Sequence, residues 1–393
     1  MKIAHGNPAE LNGCKIAYVL PIIAAEQQIQ QLCNIRPSIA RVDTRFYETP
    51  TWKAFMSRVL IPAFISFIIG LSTATAEEAS ILVNADNYAR AEAAFQFEGM
   101  LKRSGEINKL VHVRQPIPLD RQRNMQMNRD TIYSSAVVDI SAGASVSFPN
   151  AGDRYMSIAI VNEDNYTTAV YHNGESIELT VTEHGTPFVA LIARVLVNGN
   201  DPQDLKTAND LQDQIEITAS STKPYQRANY DVESRKTTRE LFRLLGDGIG
   251  EASFCNGKRT EVKETRHKIC AAIGWGGLPT YEVVYIKNQK KRALGDYQLR
   301  LNDVPVKGFW SISIYNDKGY FQENEYSAYS INNVIAEPNE DGSFTINFGE
   351  HKKGRENFLP IMEGWNYVAR LYLPSKDVQD GRWLFPEPTL IPK

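Results

Sequence analysis

The sequence predicts a mainly β protein: two β-sandwich domains joined by a helical connector, with one helix ahead of the first sandwich. Three observations carry this. Residues 108–193 and 280–393 are rich in β-branched and aromatic residues, with period-two stretches cut by turn clusters. Helical patterns occupy the segments before and between them. One strand–turn unit also occurs twice. Tyr155-Met-Ser-Ile-Ala-Ile-Val-Asn-Glu-Asp-Asn-Tyr166 aligns without gaps on Phe309-Trp-Ser-Ile-Ser-Ile-Tyr-Asn-Asp-Lys-Gly-Tyr320, with an Asn ending each strand and a Tyr closing each turn. The repeat reads as two sandwiches of similar build.

The N-terminal segment stands apart. Met56, Arg58, the apolar run Val59–Leu71 and Ala74-Thr75-Ala76 supply the start, positive n-region, h-region and small-x-small site of a secretory signal peptide. The run is shorter than the roughly 20 residues a bilayer span needs. The expectation is translation from Met56, cleavage near Ala76 and a periplasmic or secreted protein beginning near Glu77. Residues 1–55 then read as a gene-model extension or disordered leader. A membrane anchor or a buried core helix are the competing readings of 56–76.

The first domain is expected over 77–215. It opens with a helix from Asn84 or Asn87, closed by Lys102-Arg103 and Gly105. Strands follow at Thr131–Ile140 and Arg154–Val161, with turns at 148–153 and 172–174. Asp201-Pro202-Gln203-Asp204 has the order of an N-cap, a proline at N1 and an acid in the first turn, starting a short helix to about Gln214. A mainly helical connector is expected over 216–279, interrupted by the glycines at 246, 248 and 250, and the second sandwich over 280–393. Cys255 and Cys270 fall in the connector. A cysteine pair in an exported chain favours a disulfide, two buried free thiols being the alternative.

The formal net charge of the whole chain is −3, and removing 1–76 makes the remainder more acidic. No basic run is present to neutralise several phosphates, which argues against nucleic acid as a partner. No apolar stretch beyond the leader is long enough to span a membrane. Homo-oligomerisation stays open.

Familiar catalytic motifs are missing: there is no GxSxG elbow, HExxH helix, Walker loop or GxGxxG turn. The glycine-rich run at 274–277 lacks the lysine and preceding strand of a phosphate cradle and reads as a tight connection packed under Trp275. The histidines are scattered without ligand spacing, so neither a metal nor another cofactor is expected. The best candidate is Asn128-Arg129-Asp130-Thr131-Ile132-Tyr133. Arg129 offers a fork to a carboxylate or sulfate, and Asn128 and Tyr133 add hydrogen-bonding groups. Asp130 faces a partly apolar side, which suits either an acid or base of raised pKa or a structural carboxylate. Aromatic residues of the second domain are the other candidate. Trp275 and Tyr315 suit the face of a sugar, whereas Trp310 belongs to the core. Asp317, Glu323 and Glu325 nearby offer weak candidates for glycosidic hydrolysis.

From Asn128-Arg-Asp-Thr-Ile-Tyr-Ser135 onward the chain resembles two adjoining bacterial families, the domains of unknown function numbered 1254 and 1214. The first is represented by residues 128–140 and by Arg194 through DPQDLKTANDLQDQ. The second is represented by AAIGWGGLP at 271–279, VPVKGFWSISIYNDKGYF at 304–321, DGSFTINFG at 341–349, Asn357–Pro360 and Gly381–Pro386. The resemblance implies jelly-roll-like sandwiches and often an exported protein, but no established chemistry. The expected function is binding of a glycan, another envelope polymer or a small polar ligand. The alternative is a periplasmic hydrolase or lyase acting on such a polymer, with Arg129, Asp130 and Tyr133 in the cleft between domains.

Overall fold

The computed structural model describes residues 79–392 except 123, 173, 175, 247–248, 250–253, 289 and 291. The expected signal peptide lies outside the described residues. Among them, no helix is long and apolar enough to cross a membrane.

Helix α1 (Tyr88–Ser104) opens the chain and ends on Gly105, whose φ of 78° lets its N–H reach the Leu101 carbonyl. The first domain follows with β1 (Val111–Val113), β2 (Thr131–Asp139), β3 (Ala144–Ser147), β4 (Met156–Asn162), β5 (Thr167–His172) and β6 (Ser176–Leu179). The short α2 (Val181–His184), β7 (Phe188–Leu196), α3 (Pro202–Asp213) and β8 (Glu216–Ala219) complete it. Asp201 caps α3 through the N–H groups of Gln203 and Asp204, with Pro202 in the first turn, as the sequence order required. Strand β8 pairs with β3, so this sandwich runs slightly past the expected boundary at 215.

The connector holds α4 (Val232–Gly246) and α5 (Glu264–Ile273), and Cys255 is disulfide-bonded to Cys270. The second domain contains β9 (Val283–Asn288), β10 (Tyr297–Leu301), β11 (Trp310–Tyr315), β12 (Ser330–Asn332), β13 (Phe344–Gly349) and β14 (Phe358–Pro360). Strand β15 (Asn366–Tyr372), α6 (Lys376–Gln379) and β16 (Thr389–Leu390) end it.

The two domains repeat one topology. Their larger sheets run β1-β2-β7-β4-β5 and β9-β15-β11-β12, and their smaller sheets run β6-β3-β8 and β14-β13-β10-β16. Apart from the edge strands β1 and β14, each strand of one domain has its counterpart in the other, and a helix precedes the last strand in both. Within each sandwich, alternate residues of both sheets fill one core: Ile158, Ile160, Leu191 and Val146 in the first, Ile312, Ile314, Ala369 and Leu299 in the second. The repeated unit is equivalent down to single hydrogen bonds. Asn162 Oδ1 accepts from the N–H groups of Asp164 and Tyr166, and Asn316 Oδ1 from those of Lys318 and Tyr320. Each turn passes through a left-handed residue, Asn165 (φ 69°) or Gly319 (φ 80°), positions that only Asn or Gly fill cheaply.

The outer faces of the two larger sheets meet each other. Tyr155, Phe309 and Tyr372 pack there ring to ring, with centroids 4.0–5.3 Å apart. Tyr155 and Phe309 head the two copies of the repeated unit, so the duplicated segments touch at the domain interface.

Candidate functional site

Strands whose both faces are buried read as nearly continuous apolar runs, and one charge inside such a run must be accommodated by a specific setting. Arg194 on β7 and Arg370 on β15 are such charges, 6% and 3% exposed. Their registers match. Arg194 lies opposite Tyr133 of β2 and Ser157 of β4; Arg370 lies opposite Tyr285 of β9 and Ser311 of β11. Next along the row come His172 beside Ser157 and Asn332 beside Ser311. Each domain thus carries a row of Tyr, Arg, Ser and His or Asn on the face turned to its neighbour.

The rows are knitted together by exchange. Gly276, in the loop before β9, accepts from Arg194 Nη2 of the first domain. Gln126, in the loop before β2, accepts from Arg370 Nη2 of the second at 2.8 Å. The residue preceding each strand's first position is acidic and also crosses over. Asp130 meets Asn332 (3.5 Å), and Glu282 meets His172 (2.7 Å). Asp130 is fully buried beside the hydroxyls of Ser311 and Ser330. Burial raises its pKa, outweighing the charge of Arg370 and those hydroxyls. For His172, burial pulls the pKa down, but the Glu282 hydrogen bond and charge outweigh it and leave the imidazole above its ordinary value.

Beside this interlock lies a cavity of about 700 Å³, within the size range of small-molecule sites. Arg194, Arg370, Tyr133, Tyr285, Asn128 and Trp275 all line it, so both domains and the connector contribute. Arg103, Arg114, Arg121 and Lys287 add positive charge, and among the described residues no Asp or Glu lines the cavity. Arg114 pairs with Asp213 and Arg121 with Asp120, outside it. Arg194 and Arg370 have no carboxylate within ion-pair distance among the described residues. The remaining wall is largely apolar, including Met100, Ile192, Ile273 and Val368. Burial raises the phenols of Tyr285 and Tyr372, which are therefore neutral hydrogen-bonding groups. Asn128 Nδ2 donates to the Tyr372 hydroxyl at 2.9 Å.

Of the residues singled out from the sequence, Asn128, Tyr133 and Trp275 come together at this cavity. Arg129, Asp130 and Tyr315 are elsewhere. Arg129 is half-buried, donates to the Ile117 carbonyl and lies 5.0 Å from the centre of the Tyr329 ring, so its fork is committed to structure. Asp130, alternating to the other side, is spent on the exchange with Asn332. Tyr315, expected at a surface because it shares a face with serines, is fully buried: that face is covered by the other domain. Its hydroxyl donates to the Met127 carbonyl (2.6 Å) and accepts from Arg370 (2.9 Å). Asp317 lines a second, larger cavity, whose wall includes residues of α4 and loops of the second domain; Glu323 and Glu325 line neither. Arg194 and Arg370 were the residues not singled out. Their signal was available in Ala193-Arg194-Val195-Leu196 and Ala369-Arg370-Leu371-Tyr372, a lone arginine in the same place of two apolar strands.

Comparison with known proteins agrees with this division. The family model described as a protein of unknown function, DUF1254, matches residues 107–178, and that of DUF1214 matches residues 285–376. The chain combines these two domains. Tyr133 and Asn128 fall in the DUF1254 match and Arg370 in the DUF1214 match, whereas Arg194 and Trp275 lie between them. No curated protein matches. Among solved structures, the VPA0106 protein from Vibrio parahaemolyticus is similar with a TM-score of 0.61 at 19% identity, over 78% of this chain and 98% of that one. This supports the two-domain β fold. An uncharacterised protein from Burkholderia cenocepacia gives a TM-score of 0.48 at 15% identity, over 74% of this chain and 85% of that one.

Proposed function

We propose that this protein binds a small molecule with an anionic head and an apolar body in the cavity between its two domains. The observation that carries the reading is the pair of buried guanidiniums, Arg194 and Arg370, lining a cavity to which no described residue brings a carboxylate. A buried cation is costly unless an anion or several hydrogen bonds compensate it. The apolar wall suits the rest of such a ligand. An acidic sugar meets the same description; a neutral glycan does not. Of the two rings that suggested a sugar platform, Tyr315 is fully buried and only Trp275 reaches the cavity.

Binding is favoured over hydrolysis because, among the described residues, the cavity has no carboxylate and the buried phenols stay protonated. Export follows from the signal-peptide pattern at 56–76 and fits the Cys255–Cys270 disulfide.

The test is a thermal-shift series on the full chain with benzoate, benzenesulfonate and phenyl phosphate against neutral benzamide. The anionic probes are expected to raise the melting temperature and benzamide to leave it unchanged. Equal shifts from benzamide, or none from any probe, would overturn the proposal.

A further inference from the structure

The two arginines are equivalent by position but not by setting. Arg370 Nη1 donates to Ser313 Oγ (2.9 Å), and its Nη2 is shared by Tyr315 Oη, Gln126 O and Met127 O (2.8–3.3 Å). Ser313 and Tyr315 sit two and four residues beyond Ser311. The positions two and four beyond Ser157 hold Ala159 and Val161. Neither can accept a hydrogen bond. Arg194 keeps the carbonyl at Nη2, from Gly276, but its Nη1 is buried with no partner among the described residues. A second donor is also unsatisfied: the indole Nε1 of Trp275, the residue before Gly276, is buried without a partner among the described residues, and Trp275 lines the same cavity. Buried donors are satisfied in the great majority of native structures, so two orphans beside one cavity point to a missing acceptor.

We infer, resting on the binding reading above, that the duplication has been broken at Ala159 and Val161 to make Arg194 the anchor for the ligand's oxoanion, with Trp275 Nε1 as the second donor, while Arg370 is a structural tie. An oxoanion carries at least two oxygens, enough to offer an acceptor to each of these donors. Carboxylate, sulfonate and phosphate heads share this chemistry, and the three phenyl probes separate them. The guanidinium also lies 5.5 Å from the centre of the Tyr133 ring, which holds its plane while Gly276 fixes its far edge.

The experiment is calorimetric titration of the full chain and three variants with whichever phenyl probe binds best. Ala159→Ser gives Arg194 the hydroxyl that Ser313 gives Arg370 and should weaken binding at least tenfold. Trp275→Phe keeps the ring and removes the donor, with an expected loss of about fivefold or more. Ser313→Ala, which opens the other arginine, should change affinity less than threefold. If the wild type binds but Ala159→Ser and Trp275→Phe bind as it does, or Ser313→Ala costs tenfold, the assignment to Arg194 is wrong while the cavity reading stands. If the wild type binds none of the anionic probes, both are wrong. Should Ala159→Ser fail to fold, Trp275→Phe and Ser313→Ala decide between the two arginines.

Discussion

Replacing each arginine by methionine should affect stability very differently, although the two occupy equivalent positions. Arg370→Met removes the partner of the Gln126 carbonyl and of the Ser313 hydroxyl, while Met127 keeps the Tyr315 O–H. Each buried group left unpaired costs about 1–3 kcal/mol. Asp130 also loses the positive charge of Arg370, which favours its carboxylate form. Relief of the buried guanidinium's own desolvation offsets part of this. The net loss expected for breaking a buried, hydrogen-bonded charge network is about 3–5 kcal/mol. Arg194→Met orphans one carbonyl, Gly276, and at the same time removes an uncompensated buried donor. Those terms oppose each other at about 1–3 kcal/mol each, so the ligand-free protein should change by no more than about 1 kcal/mol. Urea unfolding of the full chain, followed by tryptophan fluorescence at neutral pH, reads the difference directly. If Arg194→Met proves as destabilising as Arg370→Met, the argument that Arg194 is uncompensated without ligand is refuted.

Two further outcomes follow from the exchanged carboxylates. His172 has a raised pKa in the fold, so the stability it contributes is fully present below about 6.5 and is lost as pH rises through the folded value. Melting temperatures between pH 6 and 9 should therefore fall less in His172→Gln than in the wild type; equal slopes would disprove the coupling to Glu282. Asp130 also has a raised pKa, so the stability its protonated form contributes is lost as pH climbs above its ordinary 3.8 and through the folded value. Asp130→Asn should be at least as stable as the wild type at pH 7 by urea midpoint and should keep probe affinity within threefold. A large loss of binding would return Asp130 to the site.

The duplicated architecture was legible in the sequence because the repeat lies in a strand whose core-facing isoleucines and terminal Asn turn are both constrained by geometry. The residues Ile158, Ile160, Ile312 and Ile314 alternate as the sandwich interior requires, and Asn162 and Asn316 close the same turn. The other face of those strands was harder to read. Serine and tyrosine on alternate positions look like solvent contacts, as Tyr315 did, unless a second sheet is known to cover them. For the same reason Arg129 and Asp130 stand out in the sequence as polar residues at a strand start, while Arg194 reads as one charge in an apolar run.

The repeat itself supplies the reasoning that composition could not. When a row of residues is copied, positions that keep their chemistry in both copies report on the shared architecture, and positions that diverge report on what only one copy does. Ser157 and Ser311, Tyr133 and Tyr285, Arg194 and Arg370 are kept, and they build the domain contact. Ser313 and Tyr315 against Ala159 and Val161 are not. Their divergence withdraws two hydrogen-bond acceptors from one guanidinium and from that one alone. A fold that needed Arg194 only as a tie would gain stability by keeping the serine, because burying a donor unpaired costs more than supplying an acceptor. Its absence is accounted for if the acceptor arrives with a ligand.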